Sequence, residues 1–286
     1  MKKKWLFYAL ITTFTWGIWG ALIEIPEKNG FPATFGYITW SISMIPCALV
    51  ALYIIRGKID KDLKSVLLGS SVGLLGAGGQ LILFEALRLG PAYIVFPFVS
   101  MSPVVTISLS LFFLHEKASK WQKIGIITAL FAILLLSYKP ADSHVKGYIW
   151  IILSSLVFLM WGIQGFIMKF ANKSMKAESV FIYMTITAIA LAPIAYFMTD
   201  FNAQLNIGWH NVFFSFFSQI LNAIGALTLV YAYRYGNAII VSPMTGLAPL
   251  ITIVLSLTIY AVFPSTILLF GLILATIAII SLSIEK

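Results

Sequence analysis

Uncharged stretches of about 20 residues follow one another along this chain with only short polar breaks between them, and nothing else in it limits the fold so severely. A helix of about 20 apolar residues crosses a hydrocarbon core about 30 Å thick. Ten runs meet that requirement, at approximately 5–23, 33–55, 65–87, 92–114, 121–138, 147–168, 177–198, 211–233, 238–260 and 265–284. Composition agrees, because 60% of the 286 residues are apolar and only 10% are charged, against about 25% in a soluble domain. Too few polar groups remain to cover a water-facing surface, so most of the outside faces lipid. The backbone must then bond itself, and the alternating pattern of a barrel is missing, so the runs read as helices. The expected fold is an all-α integral membrane protein with ten transmembrane helices and no separate soluble domain.

Lys2, Lys3 and Lys4 ahead of an apolar stretch also suit a signal peptide. The run from Trp5 to Ile23 is 19 residues long and ends in Glu24, Ile25 and Pro26 without a small-residue cleavage site, which favours a first span. Alternate assignment of the loops to two sides puts 15 Lys and Arg on the side of the amino terminus and 4 on the other. That bias places both termini in the cytoplasm and the chain in the cytoplasmic (inner) membrane. The net charge of +9 is scattered in short groups between apolar runs, with no basic face to suit nucleic acid. The single cysteine, Cys47, forms neither an intrachain disulfide nor a metal cluster.

Shifted by 146 positions against itself, the sequence matches 13 residues in the 28 from 84 to 111, among them Ala86, Arg88, Gly90, Pro97, Pro103 and Thr106. The register continues through Gly125 and Gly271, Ala129 and Ala275, and Ala132 and Ala278, while Trp16 and Gly17 recur as Trp161 and Gly162 at a shift of 145. The chain therefore reads as two five-helix repeats, 1–140 and 141–286, within a single membrane domain. Five is odd, so the second repeat enters the membrane from the opposite side and is inverted. Inverted repeats place a binding site near the bilayer centre and let it open to either side in turn.

The tryptophan-glycine pairs in the first and sixth spans, the stretch EALRLGPAYIVFP from Glu85 to Pro97, Pro103, and the run His115, Glu116, Lys117 together resemble the drug/metabolite transporter superfamily. The resemblance is to its ten-helix, EamA-like branch, and it covers the whole chain. It implies transport and leaves the solute open. The second half departs from the pattern, with Ala261, Val262, Phe263 and Pro264 where the histidine, glutamate and lysine stand in the first.

Candidate site residues come from polar or backbone-breaking groups within the spans. Pro103 and Pro249 fall near the middle of the fourth and ninth spans and each removes a donor, freeing the carbonyls of Val99 and Thr245. Matched interruptions of this kind point to a wet cavity, and packing kinks are the plainer alternative. Trp16, Trp19 and Trp161 form either an aromatic wall for substrate or ordinary packing beside small glycines, whereas Trp5, Trp121, Trp150 and Trp209 read as interfacial anchors. Gln164, the counterpart of Trp19, is polar within the membrane, as are Gln80, Gln219 and Asn222, the last two sharing a helix face. Lining a cavity suits these amides, as does a hydrogen bond between helices worth about 0.6 kcal/mol. Glu85 carries a coupling proton or pairs with Arg88 one turn away, and the pair is favoured; its counterpart, Tyr231, cannot do that acid-base work. Arg88 and Arg234 are expected to offset the dipoles of the helices they end.

Gly69, Ser70, Ser71, Val72 and Gly73 spell a hydrolase elbow but lie within an apolar run, where a packing face is expected instead. His115, His144 and His210 show no metal spacing, no phosphate-binding loop is present, and no cofactor is implied. The expected partners are a small-molecule substrate and membrane lipid. The expected function is secondary or facilitated transport of a small organic solute by alternating access, without enzymatic activity. A membrane-embedded enzyme acting on lipid would need clustered acid, base or metal groups at one depth, and a channel would need a continuous polar stripe.

Overall fold

The computed structural model describes residues 3–90, 92–136, 148–260 and 265–284, and these form helices and connecting turns with no strand. The helices are α1 (Lys4–Lys28), α2 (Ala33–Ile54), α3 (Leu63–Leu89), α4 (Ala92–Ser100), α5 (Pro103–Phe113), α6 (Lys120–Leu136), α7 (Ile149–Ala171), α8 (Ala177–Phe197), α9 (Trp209–Tyr235), α10 (Ala238–Thr245), α11 (Ala248–Tyr260) and α12 (Thr266–Ser283). Among the described residues, eight segments are long and apolar enough to cross a membrane: α1, α2, α3, α7, α8, α9, α12 and the stretch 238–255 that runs through α10 into α11. Phe98–Phe113 is a shorter apolar segment. The chain is thus an all-helical, multi-pass membrane protein. The last residues of the fifth expected span, His144 and the run 261–264 lie outside the described residues.

Helix ends follow local chemistry. Asp62 caps α3 by accepting the Ser65 N–H at 3.1 Å, and Ser265 caps α12 through the Leu268 N–H at 3.4 Å. The start of α8 is capped from another loop, where Asp60 accepts the Lys176 N–H at 2.8 Å and the Ser179 hydroxyl at 2.9 Å. The first helix outruns its apolar run by five residues, continuing through Glu24 and Pro26 to Lys28. Its final turn carries the exposed Glu27 and Lys28, so a helix end need not coincide with the end of hydrophobicity.

Two expected spans are broken. The fourth is divided into α4 and α5 at Met101 and Ser102, and the ninth into α10 and α11 at Gly246 and Leu247. Pro103 opens α5 and Pro249 is the second residue of α11, positions where a missing N–H costs nothing because the first turn has no partner for it.

The most extensive packing joins helices far apart in sequence: α1 lies on α9, α6 on α12 and α3 on α7, with α8 packed on both α3 and α2. Further contacts run from α1 to α11 and α5 to α7, and from α2 to α9 and α3 to α8. Small residues permit the closest approaches. Gly69 faces the Tyr183 ring and Gly73 faces Thr187 and Met184 on α8, while Gly76 and Gly79 receive Gln164 and Trp161 of α7. The supposed hydrolase elbow is therefore one helix–helix seam.

Candidate substrate pathway

The tryptophans organise the middle of the molecule. Trp16 of α1 donates its indole N–H to the Asn222 carbonyl of α9 at 3.2 Å, and Trp161 of α7 donates to the Gly76 carbonyl of α3, also at 3.2 Å. Their rings rest on Gly225 and Gly79 respectively. A backbone carbonyl in lipid needs a donor beyond the helix only rarely, so each indole bond fixes a ring orientation as well as a helix contact. Gln164 lies against Gly76, one helical turn from Trp161, and Asn222 donates to Gln219 at 3.3 Å, which in turn donates to the Gly36 carbonyl of α2 at 3.1 Å. Gln80 is half-buried one turn beyond Gly76 on α3. Trp19 is half-buried with its indole nitrogen enclosed and without a hydrogen-bond partner.

At the two breaks, carbonyls face glycines. A Cβ on Gly17 would meet the Ala248 carbonyl at 2.9 Å, and one on Gly162 would meet the Ser102 carbonyl at 2.8 Å. Thr252 donates to the Gly17 carbonyl at 2.9 Å and Thr106 to the Gly162 carbonyl at 2.8 Å. The carbonyl of Val99 accepts the Ser102 N–H at 3.0 Å, and the Thr245 hydroxyl turns back to Val241 at 3.0 Å. Freed backbone of the fourth span is thus partly taken up in a tight turn, and both breaks are packed where α1 and α7 come closest.

Glu85 and Tyr231 lie apart from this group and from each other. Glu85 sits five residues beyond Gln80, about 7.5 Å further along the axis, near the end of α3 remote from the amino terminus. Both its oxygens are engaged by Arg88, through Nε at 2.8 Å and through Nη2. Tyr231 lies near the amino-terminal face, where it donates to Glu178 at 2.6 Å and stacks on Tyr8 with ring centres 5.0 Å apart. The sequence-derived candidates therefore divide into a central group, a pair of breaks and two terminal outliers.

Arg88 and Arg234 stand in the last turns of α3 and α9, as expected, and each also has a specific partner: Arg88 bonds Glu85, and Arg234 donates to the carbonyls of Asn172 at 3.4 Å and Met175 at 2.8 Å, closing α7 and the following turn. The carbonyls ending α9 are met by Lys169 of α7, at 3.0 Å from Tyr233 and 2.6 Å from Gly236. One expectation needs correction. Trp5 and Trp150, read as interfacial anchors, are 5% and 9% exposed and pack on Gly236 and Gly90. They stand 145 residues apart, the same shift as Trp16 and Trp161, so the repeat signal held the information. Glu116 escapes a reading of the sequence as well: it accepts the Ile239 N–H at the start of α10 at 3.1 Å. No pattern within one span announces a bond between a loop and a helix start 123 residues apart.

The described helices thus form a multi-pass bundle with two broken helices and interlocked tryptophans. Residues 3–138 and again 145–284 match the EamA-like transporter family, and the chain belongs to that family. It is a membrane transporter, in keeping with the drug/metabolite transporter superfamily. A relative from Archaeoglobus fulgidus described as an uncharacterized transporter is 26% identical over 235 residues, covering 78% of this chain and 79% of its own. An uncharacterized protein from Methanocaldococcus jannaschii is 35% identical over 111 residues, 39% of this chain and 79% of its own. A solved crystal structure superposes with a TM-score of 0.77 at 16% identity, over 97% of this chain and 98% of that one, which establishes a shared fold.

Proposed function

We propose that the protein is a secondary or facilitative carrier that moves a small organic solute across the cytoplasmic membrane by alternating access, with both termini in the cytoplasm. It has ten spans, two of them broken, in two inverted five-helix repeats, 1–140 and 141–286. The observation that supports this reading most directly is reciprocity. The bond from Trp16 to Asn222 has its counterpart in that from Trp161 to Gly76, and Thr252 to Gly17 in Thr106 to Gly162, each partner displaced by 145 or 146 residues. Trp5 on Gly236 and Trp150 on Gly90 follow the same rule, as do Leu282 against Gly125 and Leu136 against Gly271. Such exchange is what a pseudo-two-fold axis between the repeats requires, and repeats related in that way can rock about a shared site.

The solute path runs between the central groups, Trp16, Trp19, Gln80, Trp161, Gln164 and Asn222, where amides orient a polar solute and indoles flank its apolar part. The breaks at Val99 to Pro103 and Thr245 to Pro249 supply the joints. Glu85 pairs with Arg88, and Tyr231 with Glu178, outside the central group. Two experiments test the assignment. Purified protein is screened for thermal shift against metabolite classes, because a ligand bound only by the folded state raises stability by RT ln(1 + [L]/Kd). The hits are then assayed for saturable counterflow in proteoliposomes, and unsaturable flux would replace the carrier by a channel.

A further inference from the structure

The turn between α9 and α10 is gripped from both sides by groups that transport in general does not account for. α9 ends at Tyr235 and α10 begins at Ala238, so Gly236 and Asn237 form an elbow between a negative helix end and a positive one. Lys169 reaches across from α7 to the Tyr233 and Gly236 carbonyls, and Glu116, from the loop between α5 and α6, takes the Ile239 N–H through Oε2. Asn237 adds a bond to the Lys117 carbonyl at 3.2 Å. Backbone geometry fixes the loop that presents Glu116, since His115 adopts φ 52° and the Glu116 N–H returns to the Ser110 carbonyl at 3.3 Å.

We infer that Glu116 and Lys169 are positioning residues that clasp the α9–α10 elbow and hold the pathway closed on the face carrying the amino terminus. The inference rests on the alternating-access reading. Three observations carry it. Every residue of α10 is buried, and α10 leads directly into the break at Gly246, so the elbow governs the half-helix that must move for that face to open. The second carboxylate oxygen of Glu116, Oε1, is buried without a partner, which leaves the clasp only half satisfied and hence releasable. At the same shifts Val262 stands where Glu116 does and Glu24 where Lys169 does, so the acid and base pair is not repeated in the sequence of the opposite face.

The test places a single cysteine at Ser242, one turn inside the elbow and 7% exposed, in a Cys47→Ala background. Labelling by a membrane-impermeant maleimide is measured from each face, in vesicles of both orientations. Glu116→Gln should raise labelling from the amino-terminal face about tenfold, the effect of weakening one charge-assisted hydrogen bond, and Lys169→Met, which loses two bonds, should raise it at least as much. Asn237→Ala, at a half-buried turn position where truncation leaves the helices intact, should give a smaller rise. Lys120→Gln, in the same region but outside the clasp, should change nothing. Unchanged rates in folded Glu116→Gln, Lys169→Met and Asn237→Ala protein, or an equal rise with Lys120→Gln, would overturn the clasp and leave alternating access to its own test. A rise on the amino-terminal face with a fall on the other supports both ideas. A rise on both faces keeps the clasp and removes alternating access.

Discussion

Single atoms decide how closely the helices meet. Gly17 and Gly162 each face a backbone carbonyl at the break in another helix, and a backbone cannot step aside as a side chain can. Gly17→Ala and Gly162→Ala are therefore expected to destabilise the protein by similar amounts, about 1–3 kcal/mol each, as overpacking does. Thermal denaturation in detergent measures both, and a loss confined to one position would mean that the two contacts are not equivalent. Glu85 and Arg88 lie at a more exposed end of α3, where solvent screens their attraction. Glu85→Gln and Arg88→Gln should lower the melting temperature slightly and alike. At this scale the sequence marked the right residue types but not their partners. Trp16 and Trp161 were legible as a pair from their spacing, yet the carbonyls they reach lie 206 and 85 residues away.

Helical elements were readable wherever an apolar run and a span coincide, as at 33–54 and 177–197. Pro103 and Pro249 marked where two spans break, because proline removes a donor whatever surrounds it. What surrounds it was hidden: the glycine floors under both breaks belong to α1 and α7, and periodicity within one element carries no information about another. The start of α3 offers a test at this scale. The Ser65 hydroxyl, followed by its N–H, holds the Asp62 carboxyl below the usual carboxylate range. A carboxyl depressed on folding stabilises the folded state above its ordinary range, and that contribution disappears as pH falls through the lowered value. The melting-temperature difference between the parent protein and Asp62→Ala should accordingly hold at neutral pH and shrink as the pH is taken down through and below the ordinary carboxylate range.

For the molecule as a whole, the all-helical membrane class was legible because composition is a sum over many residues. The 15 to 4 division of Lys and Arg motivates a topological expectation. A reporter fused after Lys286 should read cytoplasmic and one inserted near Asp200 should read external; agreement of the two would exclude ten spans. The clasp on the α9–α10 elbow was not legible at all, since it joins a loop carboxylate, a lysine inside one helix and the ends of two others.

The exchange of contacts also bears on how such a chain is assembled. Trp16, Gly17, Trp161 and Gly162 all make their closest contacts on the far side of the chain's midpoint, so neither half has an interior of its own. Cut between 140 and 141 and produced separately, each fragment would display grooves and unmet carbonyls to lipid and be cleared by proteolysis. Produced together, the two should complement each other and co-purify as one folded unit carrying a tag on only one fragment. Survival of either fragment alone at the level of the pair would contradict that interdependence.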